Sequence, residues 1–344
     1  MTDPRPDRIE RRTRGAVILL YHRVARLGSD PHAIAVKPSR FREHLELLNA
    51  DYHPMELAEL LRVLAAGRVP DRAAAVTFDD GYADNLENAK PLLARAGVPA
   101  TVFVSTGNLD ADREFWWDEL ERIFLAPGAL PRRLLTWIGG RPFHADLASA
   151  AEYGEAQARE HVAWSARANP PPTARHATFV RLFGRLQRLD RRARATAMER
   201  LHSWAGVEPV MRATHRPLRP TQIAELEADG LIDIGAHTVS HPRLSKLSAR
   251  QRSAEILDSR RRLEQILARP VLDFAYPFGD AKRTTSAVDQ AGMRSACMTR
   301  AGVIQTGADP LRLPRVYVGD WPPEALERTL ARTFASGPTA GALA

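Results

Sequence analysis

The chain has 344 residues, 44% of them apolar, and a formal net charge of +8. That length buries a sizeable core, and no run approaches the roughly 18 consecutive apolar residues of a membrane-spanning helix, so the chain reads as globular. Cys297 is the only cysteine, which excludes an internal disulfide and any cysteine-based zinc cluster and leaves His, Asp or Glu as metal ligands.

The positive charge is almost all arginine, since Lys37, Lys90, Lys246 and Lys282 are the only lysines. Its densest runs, "RLDRRARATAMER" and "RRRLEQILAR", have helical patterning and read as solvated helix faces. No specific nucleic-acid partner is expected, and peripheral contact with an anionic membrane surface stays open. The basic N-terminus is followed by "AVILLYHRV", whose apolar part is shorter than the core of a signal peptide and has no small-residue cleavage site behind it. The expected location is therefore cytoplasmic. Residues 1–14 and 336–344 read as loose ends.

From residue 15 onward, short apolar strands alternate with amphipathic helices. "AVILLYH" reads as a strand, "SRFREHLELLNA" as a helix with Ser39 as its N-cap, and "MELAELLRVLAAG" as a helix closed by Gly67. "AAAVTFDDG" is a strand running into a turn, "NLENAKPLLARAG" a helix and "PATVFVS" a strand. The rhythm resumes with the helix "TQIAELEADG", the strand "LIDIGAHT", a long helix over 248–268 and the strand "VLDFAYPFG". A helix near 286–292, strands "SACMT" and "LPRVYV", and the proline-led helix "PPEALERTLARTFA" complete it. Strict alternation predicts a parallel α/β sheet or barrel formed by 15–106 and 220–335. The interval 107–219 breaks the rhythm and reads as a large helical insertion, carrying "EFWWDELERIFLA", "LASAAEYGEAQAREHVAWSARA" and the arginine-rich helices.

Three segments fall at the carboxyl ends of predicted strands: "YHRV" with His22, "TFDDG" with Asp79 and Asp80, and "HTVSH" with His237 and His241. Those ends share one face in parallel α/β folds, so the segments should converge. Two imidazoles and one carboxylate make a complete ligand set for a catalytic divalent ion with open positions. One aspartate of "TFDDG" would bind the ion and the other would stay free as a base. In "FWWDEL", Trp116 and Trp117 point to different sides of a helix, so one packs the core and the other is free to line a groove.

"TFDDG", "HTVSHP" and "FAYPFG", in that order, resemble the polysaccharide deacetylase family, the NodB-homology domain of metal-dependent carbohydrate de-N-acetylases; "LLYHRV" resembles its poly-N-acetylglucosamine deacetylase subgroup. The resemblance implies a distorted (β/α)7 barrel. It also implies Asp79 as general base, Asp80, His237 and His241 as ligands of a divalent metal, usually zinc, and Tyr276, Pro277, Phe278 and Gly279 as a groove-lining motif. The Phe278 main-chain N–H would be an oxyanion donor. The implied reaction is hydrolysis of an N-acetyl or other small N-acyl group on an amino sugar. A retained enzyme would act on a lipid-linked or nucleotide-linked precursor or a small glycoside. A deformylase or other amide hydrolase of the same fold, and a catalytically weakened carbohydrate-binding protein, are the alternatives.

Two positions depart from the family pattern. Where many members have an arginine that orients the catalytic aspartate, this chain has Ala275, and "RLPRVYV" offers Arg312 and Arg315 instead, Arg315 being preferred. No histidine follows His241, so the group that protonates the leaving amine must come from elsewhere, and His22 is the candidate.

Overall fold

A computed structural model describes residues 15–336. The segments 1–14 and 337–344, both inside the ends read above as loose, lie outside the described residues. Seven strands run in the order β6-β5-β4-β3-β2-β1-β7: β1 Ala16–Tyr21, β2 Ala73–Phe78, β3 Ala100–Val104, β4 Ile232–Ala236, β5 Asp273–Ala275, β6 Ser295–Cys297 and β7 Val316–Tyr317. Every neighbouring pair on this path is parallel. The segment leading into β7 draws the two edges together. Leu313 bridges Cys297 of β6, and three residues later Val316 pairs with Leu19 of β1. The result is the distorted (β/α)7 barrel that the alternation of strands and helices predicts.

Side chains alternate across each strand, so the wall has two cores. Val17, Leu19 and Tyr21 of β1 face outward into a cluster with Phe41, Leu45 and Leu48 of the Pro38–Asp51 helix. Ala16, Ile18, Ala73, Ala75, Phe103, Ala275 and Cys297 form the inner cluster, capped by Leu57, Leu60 and Leu64 of the Leu57–Ala65 helix. The inner residues are mostly small, which leaves room for the ring of Phe103. Gly235 of β4 belongs to the same solution, since a Cβ there would stand 2.4 Å from the Phe103 ring.

Most predicted elements occur where the sequence places them, with two local corrections. The Pro38–Asp51 helix begins one residue before Ser39 and Lys37 occupies its N-cap, because Pro38 takes the first helical turn, where a missing N–H costs nothing. The segment between β3 and β4 is not wholly helical. Helices Trp116–Leu125, Ala174–Leu186 and Arg191–Ala205 are joined by an antiparallel hairpin of Arg133–Ile138 with Arg141–Asp146. Its turn is Gly139-Gly140, both at positive φ, the conformation a two-residue hairpin loop requires. Residues 147–168, read as helix, instead hold a 3-10 turn, a two-residue strand and the short helix Glu155–Glu160. The inserted elements build a second hydrophobic cluster, which includes Phe115, Trp117, Leu120, Phe124, Phe179 and Leu201 and takes in Tyr82 from the barrel. No helix among the described residues is long and apolar enough to cross a membrane.

Candidate metal centre

The parallel register delivers the three predicted segments to one end of the barrel. The N–H of Asp79, just past β2, donates to the carbonyl of Tyr21 at the end of β1, at 3.0 Å. The N–H of His237 donates to the carbonyl of Val104 at the end of β3, also at 3.0 Å. The loop from His237 to His241 is held from behind by Glu255 on the Ala249–Leu267 helix, whose carboxylate accepts the N–H groups of Val239 and Ser240 at 2.9 and 2.8 Å. Thr238 Oγ1 accepts the N–H of His241 at 3.0 Å. Asp80, Thr238, His241 and Phe278 all have positive φ, at 76°, 67°, 53° and 58°. Such conformations are costly for side-chain-bearing residues and persist only where the surroundings enforce them, and here they gather around one point.

At that point one ligand atom from each of Asp80, His237 and His241 lies within 4.8 Å of the others, and all three residues are buried. Asp80 Oδ1 is 3.6 Å from His237 Nε2 and 3.4 Å from His241 Nε2. His237 Nδ1 contacts the Ala275 carbonyl at 2.8 Å. A carbonyl only accepts, so Nδ1 carries the proton and Nε2 presents its lone pair to the cluster. Burial holds both imidazoles below the ordinary histidine range, with Asp79 opposing it at His237 and the His237 and Arg194 neighbours adding to it at His241. Both are therefore neutral at pH 7. Burial, and then the Asp79 and Asp118 charges, push the Asp80 carboxyl well above its usual range. Asp80 Oδ1 is sealed from water and has no hydrogen-bond partner among the described residues. Two neutral nitrogens and an otherwise unpartnered buried carboxylate oxygen fit a divalent cation and suit zinc.

Asp79 sits in a different field. Arg315 is completely buried and grips the Asp79 carboxylate with two parallel bonds, Nη1 to Oδ1 at 2.7 Å and Nη2 to Oδ2 at 2.6 Å. Its remaining donors reach the Met298 carbonyl at 2.8 Å and Thr77 Oγ1 at 3.2 Å. Burial alone would raise the Asp79 pKa; the Arg315 charge, aided by His237, outweighs it and keeps the carboxyl below its ordinary range. The guanidinium thus arrives from the loop before β7 while Ala275 stays within the inner cluster. Arg312, the other arginine of "RLPRVYV", is half exposed and bonds Thr285 Oγ1 instead.

These groups open into a cavity of about 300 Å³, which His22 also lines. His22 Nδ1 is buried without a hydrogen-bond partner among the described residues, and burial lowers its pKa to about 4 despite the nearby Asp79 charge. Trp117 and Phe278 form the walls beside His241, with ring centroids 4.8 and 4.6 Å from it. Trp117 is fixed by its Nε1–H, which donates to the Tyr82 hydroxyl at 2.7 Å, and that hydroxyl donates to Asp118 at 2.8 Å. Trp116 does not line this cavity; both tryptophans are buried in the cluster of the inserted segment, and both border a neighbouring cleft.

Of the groove motif, only the Phe278 side chain lines this cavity. Tyr276 is a correction: it is fully buried in the outer cluster, and its hydroxyl donates to the Leu311 carbonyl at 3.0 Å. Pro277 is buried behind the turn, and Gly279 contributes backbone. A Cβ on Gly279, at φ 66°, would stand 2.1 Å from Thr299 Oγ1, so the turn that presents Phe278 needs glycine there. Sequence reading misses the wall residues His32 and Arg243, which come from loops, Arg167 and Phe183, which come from the insertion, and Tyr317, which comes from the short strand β7.

Fold and cluster together define a parallel α/β barrel protein with a buried His-His-Asp cluster that could hold a metal ion, beside an arginine-clamped aspartate. Residues 66–128 and 193–296 match the family model described as polysaccharide deacetylase. YxkH of Bacillus subtilis (strain 168) is 32% identical over 89 residues, 25% of this chain and 30% of YxkH. The poly-beta-1,6-N-acetyl-D-glucosamine N-deacetylase of Staphylococcus aureus (strain MSSA476) is 28% identical over 120 residues, 31% of this chain and 41% of that protein. The chain therefore spans less than half the length of these relatives. Among solved structures, the Streptococcus pyogenes deacetylase PplD in complex with acetate superposes with a TM-score of 0.57 at 17% identity, covering 92% of this chain and 98% of that one. IcaB from Ammonifex degensii gives 0.55 at 19% identity, covering 93% and 97%. At such identities the likeness shows a shared fold. The chain belongs to the polysaccharide deacetylase family.

Proposed function

We propose that the protein hydrolyses an N-acetyl or other small N-acyl group on an amino sugar. The observation that carries this is the buried Asp80-His237-His241 cluster beside an ionised Asp79, in a partly enclosed cavity of about 300 Å³. Asp80, His237 and His241 would hold a divalent cation, zinc in this reading. Bound there, the cation would supply Lewis acidity and lower the pKa of a coordinated water.

The chain's own residues account for the rest. Arg315 keeps Asp79 ionised and fixes its plane, so an Asp79 oxygen is available to take a proton. The Phe278 N–H, at the turn set by Gly279, is the proposed oxyanion donor. His22 enters neutral, since burial holds its pKa at about 4. It becomes a donor to the leaving amine only after it accepts a proton within the cavity. Phe183 and Arg167 from the inserted segment wall the cavity in, which supports a small or precursor-borne amino sugar rather than a long polymer. An intracellular lipid-linked or nucleotide-linked precursor, with a cytoplasmic location, belongs to the same reading. The intact pairing of Asp79 with Arg315 favours a hydrolase over a weakened binding protein, which has no use for an oriented base.

The test is metal analysis of the purified protein coupled to acetate and formate release from a panel of N-acylated amino sugars. Acetate release lost in Asp79→Asn with the metal retained supports the proposal. Wild-type protein without metal, and Asp80→Ala indistinguishable from it, would refute it.

A further inference from the structure

Once Asp79 is matched by Arg315 and Asp80 by a cation, the cavity retains two charges that this chemistry does not use. Arg167 and Arg243 both line it, and besides Asp79 and Asp80 no acid among the described residues does. Arg167, on the loop after Trp164, lies over the Tyr317 ring at 4.2 Å, and that ring is 6.4 Å from the His22 ring. Arg243, two residues past His241, lies over the Phe278 ring at 4.8 Å and donates from Nε to Gln187 Oε1 at 2.6 Å. One cation thus stands on the His22 side and the other on the His241 side. Neither forms an ion pair among the described residues, although many arginines elsewhere are paired with carboxylates. Asp30, the acid that acts on Tyr317 beside Arg167, is occupied by the N–H groups of Ile34 and Ala35.

Unpaired guanidiniums held against aromatic faces at the rim of a partly enclosed site are poised for an anion. A neutral N-acyl amino sugar offers them hydroxyl acceptors but no counter-charge. Their planar forks match phosphate oxygens, and a low-dielectric pocket strengthens that attraction. The geometry points to a substrate whose N-acyl amino sugar carries a phosphate ester, read by Arg167 and Arg243 while the acyl group faces Asp80, His237 and His241. This rests on the deacylase reading for its chemistry, but the anion site is testable without turnover. The shared ligand chemistry is the ester phosphate, whether terminal in a sugar 1-phosphate or bridging in a diphosphate-linked sugar.

The experiment is calorimetric titration of the metal-loaded full chain with N-acetylglucosamine, N-acetylglucosamine 1-phosphate, its uridine-diphosphate conjugate and an N-acetylated amino uronate. Wild type, Arg167→Ala, Arg243→Ala and the double variant are compared. At least one phosphorylated ligand should bind wild type tenfold or more tighter than the neutral sugar, with an advantage that shrinks as salt rises. Each single substitution should cut that advantage at least threefold, and the double should abolish it. Stronger binding of the 1-phosphate identifies a terminal ester and stronger binding of the conjugate a bridging one. Neutral and phosphorylated sugars binding within twofold of each other, an advantage that survives the double variant, or tighter binding of the uronate would each overturn the inference. If nothing is deacylated yet the phosphate advantage and its arginine dependence hold, the anion site stands and the deacylase reading falls. Where turnover is seen, the phosphorylated-to-neutral ratio of kcat/KM should drop at least tenfold in the double variant.

Discussion

Replacing Arg315 by methionine removes the only guanidinium or ammonium that grips Asp79 among the described residues and leaves a carboxylate 2% exposed without that partner. The guanidinium makes four hydrogen bonds, two of them to the carboxylate at 2.6–2.7 Å, and it is itself wholly buried. Breaking a buried pair from one side costs about 3–5 kcal/mol, because the remaining charge has neither water nor counter-charge. Arg315→Met should therefore lose about that much stability in urea titration at pH 7, followed by tryptophan fluorescence. Asp79→Asn and Arg315→Met together should lose clearly less than the sum of the single losses, since the double variant strands no charge. The pH dependence has a definite sign. In wild type the Asp79 pKa is depressed, so its contribution is present above the unfolded carboxylate value and is lost as pH falls through the folded one. Without Arg315, burial raises the Asp79 pKa, so its protonated form is the one that fits. The stability gap between variant and wild type should then narrow from pH 7 to pH 4. A loss under about 1 kcal/mol, strict additivity of the two changes, or a gap that widens on acidification would refute the reasoning.

Chelation should lower the thermal midpoint, and added zinc should raise it in proportion to the logarithm of its free concentration, because the ion pairs the otherwise stranded Asp80; this shift should vanish in Asp80→Ala. His22→Ala should lower turnover at least tenfold with metal content near wild type, and unchanged turnover would discard a role in proton transfer. Gly279→Ala should cost roughly 1–3 kcal/mol of stability and disturb the Phe278 turn, since its Cβ falls 2.1 Å from Thr299 Oγ1 at a φ that favours glycine; denaturation and turnover assays read both effects.

The candidate metal cluster is legible in the sequence because its parts are local. "TFDDG" and "HTVSH" each follow an apolar strand, and parallel strands place such ends on one face whatever lies between them in the chain. Gly139-Gly140 between alternating runs is also a local signal and predicts the hairpin that the helical reading of the insertion overlooks. Tyr276 shows the opposite case: a motif fixes its neighbourhood, but one-residue alternation turns its side chain into the outer core and away from the cavity.

What the sequence by itself determines here is therefore the strand rhythm, the barrel and the identity of the four residues Asp79, Asp80, His237 and His241. The sequence offers Arg312 and Arg315 and prefers Arg315; the tertiary structure brings Arg315 across 236 positions to clamp Asp79 and leaves Arg312 bonded to Thr285. It also decides that Trp117, Arg167 and Arg243 wall the cavity. The physical reason is reach. Backbone periodicity and turn chemistry act over a few residues and are written in the chain order, whereas which long side chain fills a space depends on how distant segments pack around it.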